Sequence, residues 1–255
     1  MQKDTSLSTD PKTYEYADDV LKGRIILITG ASDGIGRALA IHAATLGAQV
    51  ILHGRNTKKL EAVYDEIEAI KGAACPSIAV LDLASADGDA YAALAKSIED
   101  EFGRLDGLVH NASILGQRLS LEQYDAAEWQ QVLHVNLTAA FVLTQQLFPA
   151  LRNSDDPSII FTSSGVGRVG KPFWGAYSVS KFGTESMSQI IAGENAHTNL
   201  RSNCINPGPV RTKMRLEAYP AEDRDALAKP EDILGSYIYL LGPDSRGVTG
   251  ESFDI

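Results

Sequence analysis

The stretch RIILITGASDGIG, residues 24–36, decides the fold of this chain. Its first six residues form a short, β-branched apolar run typical of a buried strand, and a segment with helical periodicity follows the glycines. At such a junction glycine lets the backbone approach a pyrophosphate, and the N-terminus of the helix favours its negative charge. The alternative is that these glycines serve packing alone. Their spacing, G-x-x-x-G-x-G, also differs from the commoner dinucleotide-binding pattern G-x-G-x-x-G. We interpret the loop as dinucleotide-binding, with contacts from Gly30, Ser32, Asp33, Gly34, Ile35 and Gly36.

Strands and helices alternate along the rest of the chain. Strands are predicted at 24–29, 49–53, 77–82, 105–111, 158–163, 201–206 and 250–255, and helices at 35–47, 57–70, 87–102, 125–151, 176–196 and 230–242. Apolar strands that alternate with helices are typical of a parallel sheet buried on both faces. We therefore predict an α/β class chain with a single-domain Rossmann fold, whose doubly wound, mostly parallel seven-stranded sheet carries helices on both faces. Residues 1–22 form a polar extension, partly helical around YADDVLKG (16–23), and residues 23–255 form the catalytic domain.

Composition and charge exclude several classes of protein. The chain has 255 residues, 44% of them hydrophobic, and a formal net charge of -10, which argues against nucleic acid or anionic membrane as the main partner. The two cysteines, Cys75 and Cys204, lie far apart without metal-ligand spacing. The N-terminus lacks the apolar core of a secretory signal, and no apolar run reaches the ~18 residues of a membrane span. We expect a cytoplasmic protein without a metal.

Residues at the ends of the next strands predict which dinucleotide is bound. NAD-binding folds of this kind carry an acidic residue after the second strand, where this chain has Gly54, Arg55 and Asn56. Because arginine can pair with a 2′-phosphate that a carboxylate would repel, the sequence favours NADP(H) over NAD(H), which stays possible. An ordinary surface arginine is the alternative, and Asp33 weighs against NADP(H). Further candidate contacts follow the third and fourth strands: Asp82 (equally suited to cap a helix), Leu83, Asn111, Ala112 and Ser113.

The stretch SSGVGRVGKPFWGAYSVSK (163–181) holds a candidate acid–base pair. Tyr177 and Lys181 lie four apart at the start of a predicted helix, so they share a face beside the carboxyl edge of the fifth strand. A nearby ammonium lowers the pKa of a tyrosine from its usual value of about 10, which would make Tyr177 a usable proton donor and acceptor. Ser164 ends the strand, and three glycines let the loop fold back towards the helix. An exposed helical pair without function is the alternative.

Together these motifs resemble the short-chain dehydrogenase/reductase family from about residue 24 to residue 253. The resemblance is carried by TGASDGIG (29–36), HNAS (110–113), HVNL (134–137), YSVSK (177–181) and NPGPVRT (206–212), and the finer pattern is similar to a YciK-like bacterial subgroup. It implies an NADP(H)-dependent oxidoreductase that interconverts a carbonyl compound (ketone, aldehyde or quinone) and an alcohol. It also implies a homodimer or homotetramer acting on a small molecule, with no nucleic acid or membrane partner. A dinucleotide-binding scaffold or redox sensor without turnover is the alternative.

The family's active-site tetrad falls on Asn136, Ser164, Tyr177 and Lys181. The resemblance implies that Tyr177 exchanges the proton, while Lys181 lowers its pKa and holds the nicotinamide ribose. Ser164 would orient the carbonyl, and Asn136 would hold a water relay to Lys181. The resemblance adds Pro207, Gly208, Val210 and Thr212 to the cofactor contacts. Ser113 replaces a glycine of the family pattern and is expected to crowd, or hydrogen-bond near, the ribose.

Apolar side chains around the predicted site indicate an apolar substrate surface. They are Ile114, Leu115, Phe173, Trp174, Met214, Leu216 and Tyr219. Aromatic residues on such loops also pack at subunit contacts, which is the alternative. The segment TAAFVLTQQLF (138–148) offers small and apolar residues either for a helix bundle between subunits or for the core of one subunit. His110, His134 and His197 are predicted to be structural, since none has zinc-ligand spacing.

Overall fold

The computed structural model describes residues 11–255. The strands are β1 (Ile25–Thr29), β2 (Gln49–Gly54), β3 (Ser77–Val80), β4 (Gly107–His110), β5 (Ser158–Thr162), β6 (Arg201–Asn206) and β7 (Ser252–Asp254). The helices are α1 (Gly34–Thr45), α2 (Thr57–Glu68), α3 (Gly88–Phe102), α4 (Ala126–Leu133), α5 (Ala139–Arg152), α6 (Gly175–Glu194), α7 (Lys213–Ala218) and α8 (Gly235–Leu241). Within the described part of the chain, no helix has the length and apolar character needed to cross a membrane.

The seven strands form one sheet in the order β3-β2-β1-β4-β5-β6-β7, and every described pairing is parallel. The predicted Rossmann fold is therefore confirmed, and the sheet is more regular than predicted. The chain runs outward from β1 to β3 and then returns to β4 on the other side of β1. Such a switch point opens a crevice at the carboxyl ends of the central strands, where ligands bind in this architecture.

Alternate residues of β1 pack on opposite faces of the sheet. Ile26 and Ile28 belong to the core that includes Leu39 of α1, whereas Leu27 belongs to the core that includes Leu143 of α5. Since a strand's side chains alternate between its faces, both faces are covered by helices. This double burial explains why the strands read as continuous apolar runs. Each fully buried side chain of this size contributes about 1.5–3 kcal/mol to folding.

The segment before β1 differs from its prediction. Residues 16–23 form turns rather than the predicted partial helix. Two separate anchors hold this segment: Leu21 is fully buried, and the Tyr14 hydroxyl donates a hydrogen bond to Asp244 at 2.8 Å. Tyr14 and Leu21 belong to the same core cluster, so the segment between them is fixed at both ends by packing. The proposed domain boundary at residue 22 stays a prediction, and residues 1–10 lie outside the described residues.

The predicted helix at 125–151 is interrupted at the candidate tetrad residue. The structure has α4, then a π-helical turn over His134–Thr138, then α5. A π turn holds one more residue than an α turn and occurs frequently at functional sites. It contains Asn136, whose side chain is buried. Hydrophobic periodicity did not reveal this turn, because one extra residue barely disturbs an apolar pattern of this length.

The helix predicted at 230–242 is shorter than expected. Pro230–Ile233 forms a 3-10 turn, and α8 begins only at Gly235. The Asp232 carboxylate accepts a hydrogen bond from the Lys229 backbone at 2.8 Å, which stabilises the separate turn. Glycine is also a poor former of helix interiors, so a break at Gly235 costs little.

A buried ionic cluster joins three strands at the edge of the sheet opposite the glycine loop. The Asp156 carboxylate accepts hydrogen bonds from Arg201 and from Arg24, both at 3.1 Å. Asp156 is 5% exposed and Arg201 is 2% exposed, so this pair has little contact with water. Arg246 lies at the rim, 3.5 Å from the same carboxylate. The cluster connects the starts of β1, β5 and β6.

Candidate active site

The glycine loop connects β1 to α1 at the switch point. A Cβ atom on Gly36 would lie 2.4 Å from the Gly30 carbonyl oxygen, so the loop can close in this way only around glycine. Asn111 donates from its side chain to the Thr29 carbonyl at 3.1 Å and so ties the end of β4 to β1. Asp33 caps α1 by accepting from the Gly34 amide at 2.9 Å. The tight turn at a helix N-terminus fits a pyrophosphate group.

Lys59 is a candidate contact that the sequence analysis missed. Its ammonium lies 2.9 Å from the Asp33 carboxylate, and this hydrogen bond lowers the pKa of Asp33. Lys59 also lines the same cavity as Arg55, which is exposed. The negative charge of Asp33, which weighed against a 2′-phosphate, is therefore offset by a cation. Lys59 follows Asn56 by three residues at the start of α2, a helical spacing that could have revealed it.

Tyr177 lies on the first turn of α6 and is 8% exposed. Burial raises the pKa of Tyr177 to about 12, and the nearby hydroxyls of Ser164 and Ser113 oppose this rise. A phenol with this pKa is protonated at neutral pH. Burial is the largest influence on this pKa, and the prediction that Lys181 lowers it stays a prediction.

Lys181 is held by the strand beside it. Its ammonium donates to the Thr162 carbonyl at 2.7 Å and lies 5.5 Å from the centre of the Tyr177 ring. Burial lowers the pKa of Lys181 to about 8, so its ammonium is still mostly charged at pH 7. The loop packs on this residue, since a Cβ on Gly167 would lie 2.8 Å from the Lys181 Cβ. Among the loop glycines 165, 167 and 170, only the second must be glycine for the loop to approach Lys181 this closely.

Ser113 lies among the acid–base residues. Its hydroxyl is buried and has no hydrogen-bond partner among the described residues, yet it lies close enough to Tyr177 to act on its pKa. Glycine at this position would leave that space without a polar group. Ser113 therefore lies beside Tyr177. Its expected contact near the ribose stays a prediction.

The Asn136 side chain connects the two halves of the site. Its oxygen accepts from the Ile114 amide at 2.8 Å, and its nitrogen donates to the Ile114 carbonyl at 2.9 Å and to Ser180 at 3.1 Å. It thus fixes the loop after β4 against α6. The water relay that the family resemblance assigns to Asn136 stays a prediction.

One cavity of about 1100 Å³ brings the predicted residues together. Apart from Gly36 and Asn136, it is lined by every predicted catalytic and cofactor residue: Gly30, Ser32, Asp33, Gly34, Ile35, Arg55, Asn56, Asp82, Leu83, Asn111, Ala112, Ser113, Ser164, Tyr177, Lys181, Pro207, Gly208, Val210 and Thr212. Asp82 accepts from the Ala84 amide, and Asp87 caps α3, so the helix-cap alternative for Asp82 is wrong.

Part of the cavity lining is apolar, and its role as a substrate surface stays a prediction. Ile114, Leu115, Phe173, Trp174 and Met214 line it. Leu216 and Tyr219 do not line the cavity. Leu216 is 37% exposed, and Tyr219 packs on Trp174 with 6.0 Å between the ring centres. His110 is buried against Thr144 at 2.7 Å. Among residues 11–255, no group of three potential metal ligands lies together.

A fully parallel sheet, a glycine loop at its switch point and a buried tyrosine–lysine–serine group in the same cavity define a class: Rossmann-fold oxidoreductases that use a nicotinamide dinucleotide. Comparison of the chain with known proteins identifies the family within that class. The model of the short chain dehydrogenase family matches residues 24–223. The chain belongs to this family.

Relatives cover nearly the whole chain. A protein of Escherichia coli K12 called "Uncharacterized oxidoreductase YciK" is 47% identical over 241 residues, which span 94% of this chain and 95% of the relative. The crystal structure of a short chain dehydrogenase from Salmonella enterica serovar Typhi superposes with a TM-score of 0.93 at 47% identity, over 94% of this chain and 99% of that one. A short chain dehydrogenase from Escherichia coli CFT073, complexed with NADPH, gives a TM-score of 0.91 at 48% identity, over 94% and 99%.

Proposed function

We propose that this protein is an NADP(H)-dependent oxidoreductase that interconverts a carbonyl group and an alcohol. The observation that carries the proposal is the buried Tyr177, with Ser164 and Lys181, in the cavity that also contains the glycine loop. The test is NADPH consumption by the purified protein against a panel of ketones, aldehydes and quinones. If the protein reduces none of these compounds, the proposal is wrong.

The Tyr177 phenol is in the protonated form that carbonyl reduction requires. With a pKa of about 12, its phenol holds its proton at neutral pH and can donate it to a developing alkoxide. Ser164 is placed to hydrogen-bond the same oxygen and to orient the carbonyl. Lys181 and the glycine loop would hold a nicotinamide dinucleotide, which supplies the hydride when bound. The residues of this chain therefore bind, orient and supply the proton.

The alternative, a dinucleotide-binding scaffold or redox sensor, needs the glycine loop alone. A protein of that kind has no use for a buried phenol with two serine hydroxyls beside it. The same NADPH assay discriminates the two, because a scaffold would bind the dinucleotide without consuming it.

We expect Arg55→Ala to weaken NADP(H) binding selectively. Arg55 is exposed at the cavity, where it can pair with a 2′-phosphate, and Lys59 offsets the negative charge of Asp33. Loss of a charged hydrogen bond costs roughly 1.5–3 kcal/mol. NAD(H) has no 2′-phosphate, so its affinity should hardly change. The NADPH complex of the Escherichia coli CFT073 relative supports this preference.

The two affinities are measured by titrating each cofactor and following protein fluorescence. Lys58→Ala is the matched control, since Lys58 is an exposed cation on α2 that does not line the cavity. Equal or tighter binding of NAD(H) to the wild type would count against the assigned preference.

We also propose that the protein assembles through α5 and α6. Phe141 on α5 is 49% exposed, and Val179, Phe182 and Ile190 on α6 are 45%, 43% and 55% exposed. The opposite side of α5, with Leu143 and Leu147, is buried in the core. The buried side of segment 138–148 therefore belongs to the core of one subunit, and its exposed side is available for a helix bundle between subunits. Large apolar side chains exposed on two helices are typical of an interaction surface.

Phe182→Glu should shift the protein towards monomers, because it places a charge where an apolar side chain would be buried. Light scattering at micromolar concentration measures the change. Leu121→Glu, at a 71% exposed position outside these helices, is the control and should leave the assembly intact. A monomeric wild type at that concentration would refute the proposed assembly.

A further inference from the structure

Arg118 follows β4 and lines the substrate end of the cavity. Its guanidinium carbon lies 4.3 Å from the centre of the Trp174 ring and 5.0 Å from that of Tyr219. Nη1 donates to the Ala218 carbonyl at 2.6 Å. Nε is buried and has no acceptor among the described residues. The two aromatic rings thus fix the guanidinium, while its Nε side makes no hydrogen bond within the described chain.

Arg118 has no carboxylate counter-ion among the described residues, whereas its neighbour Arg215 has one. Arg215 lines the same cavity and pairs with Glu222 at 2.5 Å. Arg118 is half-buried, and within residues 11–255 it makes no ion pair. Glu128 and Glu217 line the cavity but do not pair with it. A half-buried cation without a counter-ion is unfavourable, so the site would gain from an anion supplied by a ligand.

We propose that Arg118 forms an anion subsite and that the substrate is a carbonyl compound carrying a carboxylate or phosphate group. This inference rests on the proposed function and specifies its substrate class. Nη1 already donates to Ala218 and Nε is buried, so Nη2 is the group of this guanidinium that can donate to an oxygen of such an anion. Contact with the rings of Trp174 and Tyr219 keeps the guanidinium in place before the ligand arrives, which lowers the entropy that binding must overcome.

Trp174 connects the anion subsite to the acid–base group. Its ring packs on Arg118 and also on Tyr177, with 5.7 Å between the ring centres of Trp174 and Tyr177. A substrate that extends along Trp174 would place its carbonyl at Tyr177 and its anion at Arg118. Apolar residues such as Leu115 and Met214 line the cavity around these groups and suit the carbon skeleton that connects the two ends of the substrate.

The kinetic test compares aromatic α-, γ- and δ-keto acids, and the matching keto phosphonates, with their methyl esters. We expect one acid or phosphonate to be reduced with a higher kcat/KM than its ester, and the best member identifies the anion. Arg118→Gln should lower kcat/KM for that anion by roughly 10- to 100-fold, as for loss of a charged hydrogen bond, and change the ester little. Arg152→Gln is the matched control: Arg152 also stacks on a ring, that of Phe148, but does not line the cavity.

A binding measurement tests the subsite without turnover. In a Trp129→Phe background Trp174 is the remaining tryptophan, so its fluorescence reports on the ring that packs against Arg118. With NADP+ present, the reduced hydroxy acid should change this emission at lower concentration than its methyl ester, and Arg118→Gln should remove the difference. If no carbonyl compound is reduced but the acid still binds selectively, the proposed function fails and the subsite stands.

Two results would overturn the subsite. Acid and ester could bind equally well, which shows that the anion makes no contact. Alternatively, Arg118→Gln could weaken both by the same factor, which shows that Arg118 only connects α7 to the loop after β4. If esters are reduced as efficiently as the acids, the proposed function stands and the subsite fails.

Discussion

Tyr177→Phe should reduce turnover by about 10²–10⁴-fold while leaving the fold and the affinity for NADPH almost unchanged. A positioned acid–base group typically contributes a factor of this size, and this substitution removes only the phenolic hydroxyl. The ring of Tyr177 keeps its packing on Trp174, so the free energy of unfolding should change little. The measurements are steady-state turnover on a substrate from the panel, NADPH affinity and thermal unfolding.

Tyr91→Phe is the matched control for this experiment. Its hydroxyl is buried on α3 and has no partner among the described residues, so its loss should affect neither activity nor binding. Ser164→Ala should lower turnover with little effect on NADPH affinity, whereas Lys181→Ala should weaken both. Near-wild-type turnover by Tyr177→Phe would show that the assigned mechanism is wrong.

Asp156→Ala should destabilise the protein by roughly 3–5 kcal/mol, the usual effect of removing one member of a buried ion pair. The substitution leaves the Arg201 guanidinium, which is 2% exposed, without the carboxylate that it contacts at 3.1 Å. A typical domain has a total stability of only about 5–15 kcal/mol, so this loss is a large fraction of it. Urea unfolding measures the change. NADPH affinity of the folded fraction should persist, since the cluster lies at the opposite edge of the sheet.

Arg246→Ala removes another member of the same cluster and serves as the control. Its side chain is 68% exposed, and exposed ion pairs contribute about 0–1 kcal/mol. If Asp156→Ala costs no more than Arg246→Ala, the cluster does not hold the three strands together as described.

The fold could be predicted from the sequence because the two patterns that indicate it each lie within a short segment of the chain. Continuous apolar strands report burial on two faces, and the glycine loop after β1 marks the switch point. Predictions at the ends of elements were weaker, as at Pro230–Ile233, where an Asp232 side chain decides between a helix and a turn. The segment at 16–23 was mispredicted because its anchors, such as Tyr14 with Asp244, lie 230 positions apart in the chain. Periodicity carries no information about contacts of that range.

The candidate site was predicted in its members but not in its electrostatics. Motif spacing placed Tyr177, Lys181 and Ser164 in one cavity, yet it could not show that burial dominates the pKa of the tyrosine. Lys59 and Arg118 were missed for a related reason. Each matters through what lies beside it in space, an aspartate for Lys59 and two aromatic rings for Arg118, and neither belongs to a motif.

The π turn between α4 and α5 makes the number of residues in this region as important as their identity. Because a π turn holds one residue more than an α turn, deleting one residue from His134–Thr138 would restore an ordinary α turn and leave the helix after it in nearly the same orientation. Leu143 and Leu147 would still face the core, whereas Asn136 would lose its alignment with Ile114. The extra residue therefore serves the position of Asn136 and not the packing of the helix. A chain one residue shorter here would keep its core and lose the contact that joins the loop after β4 to α6.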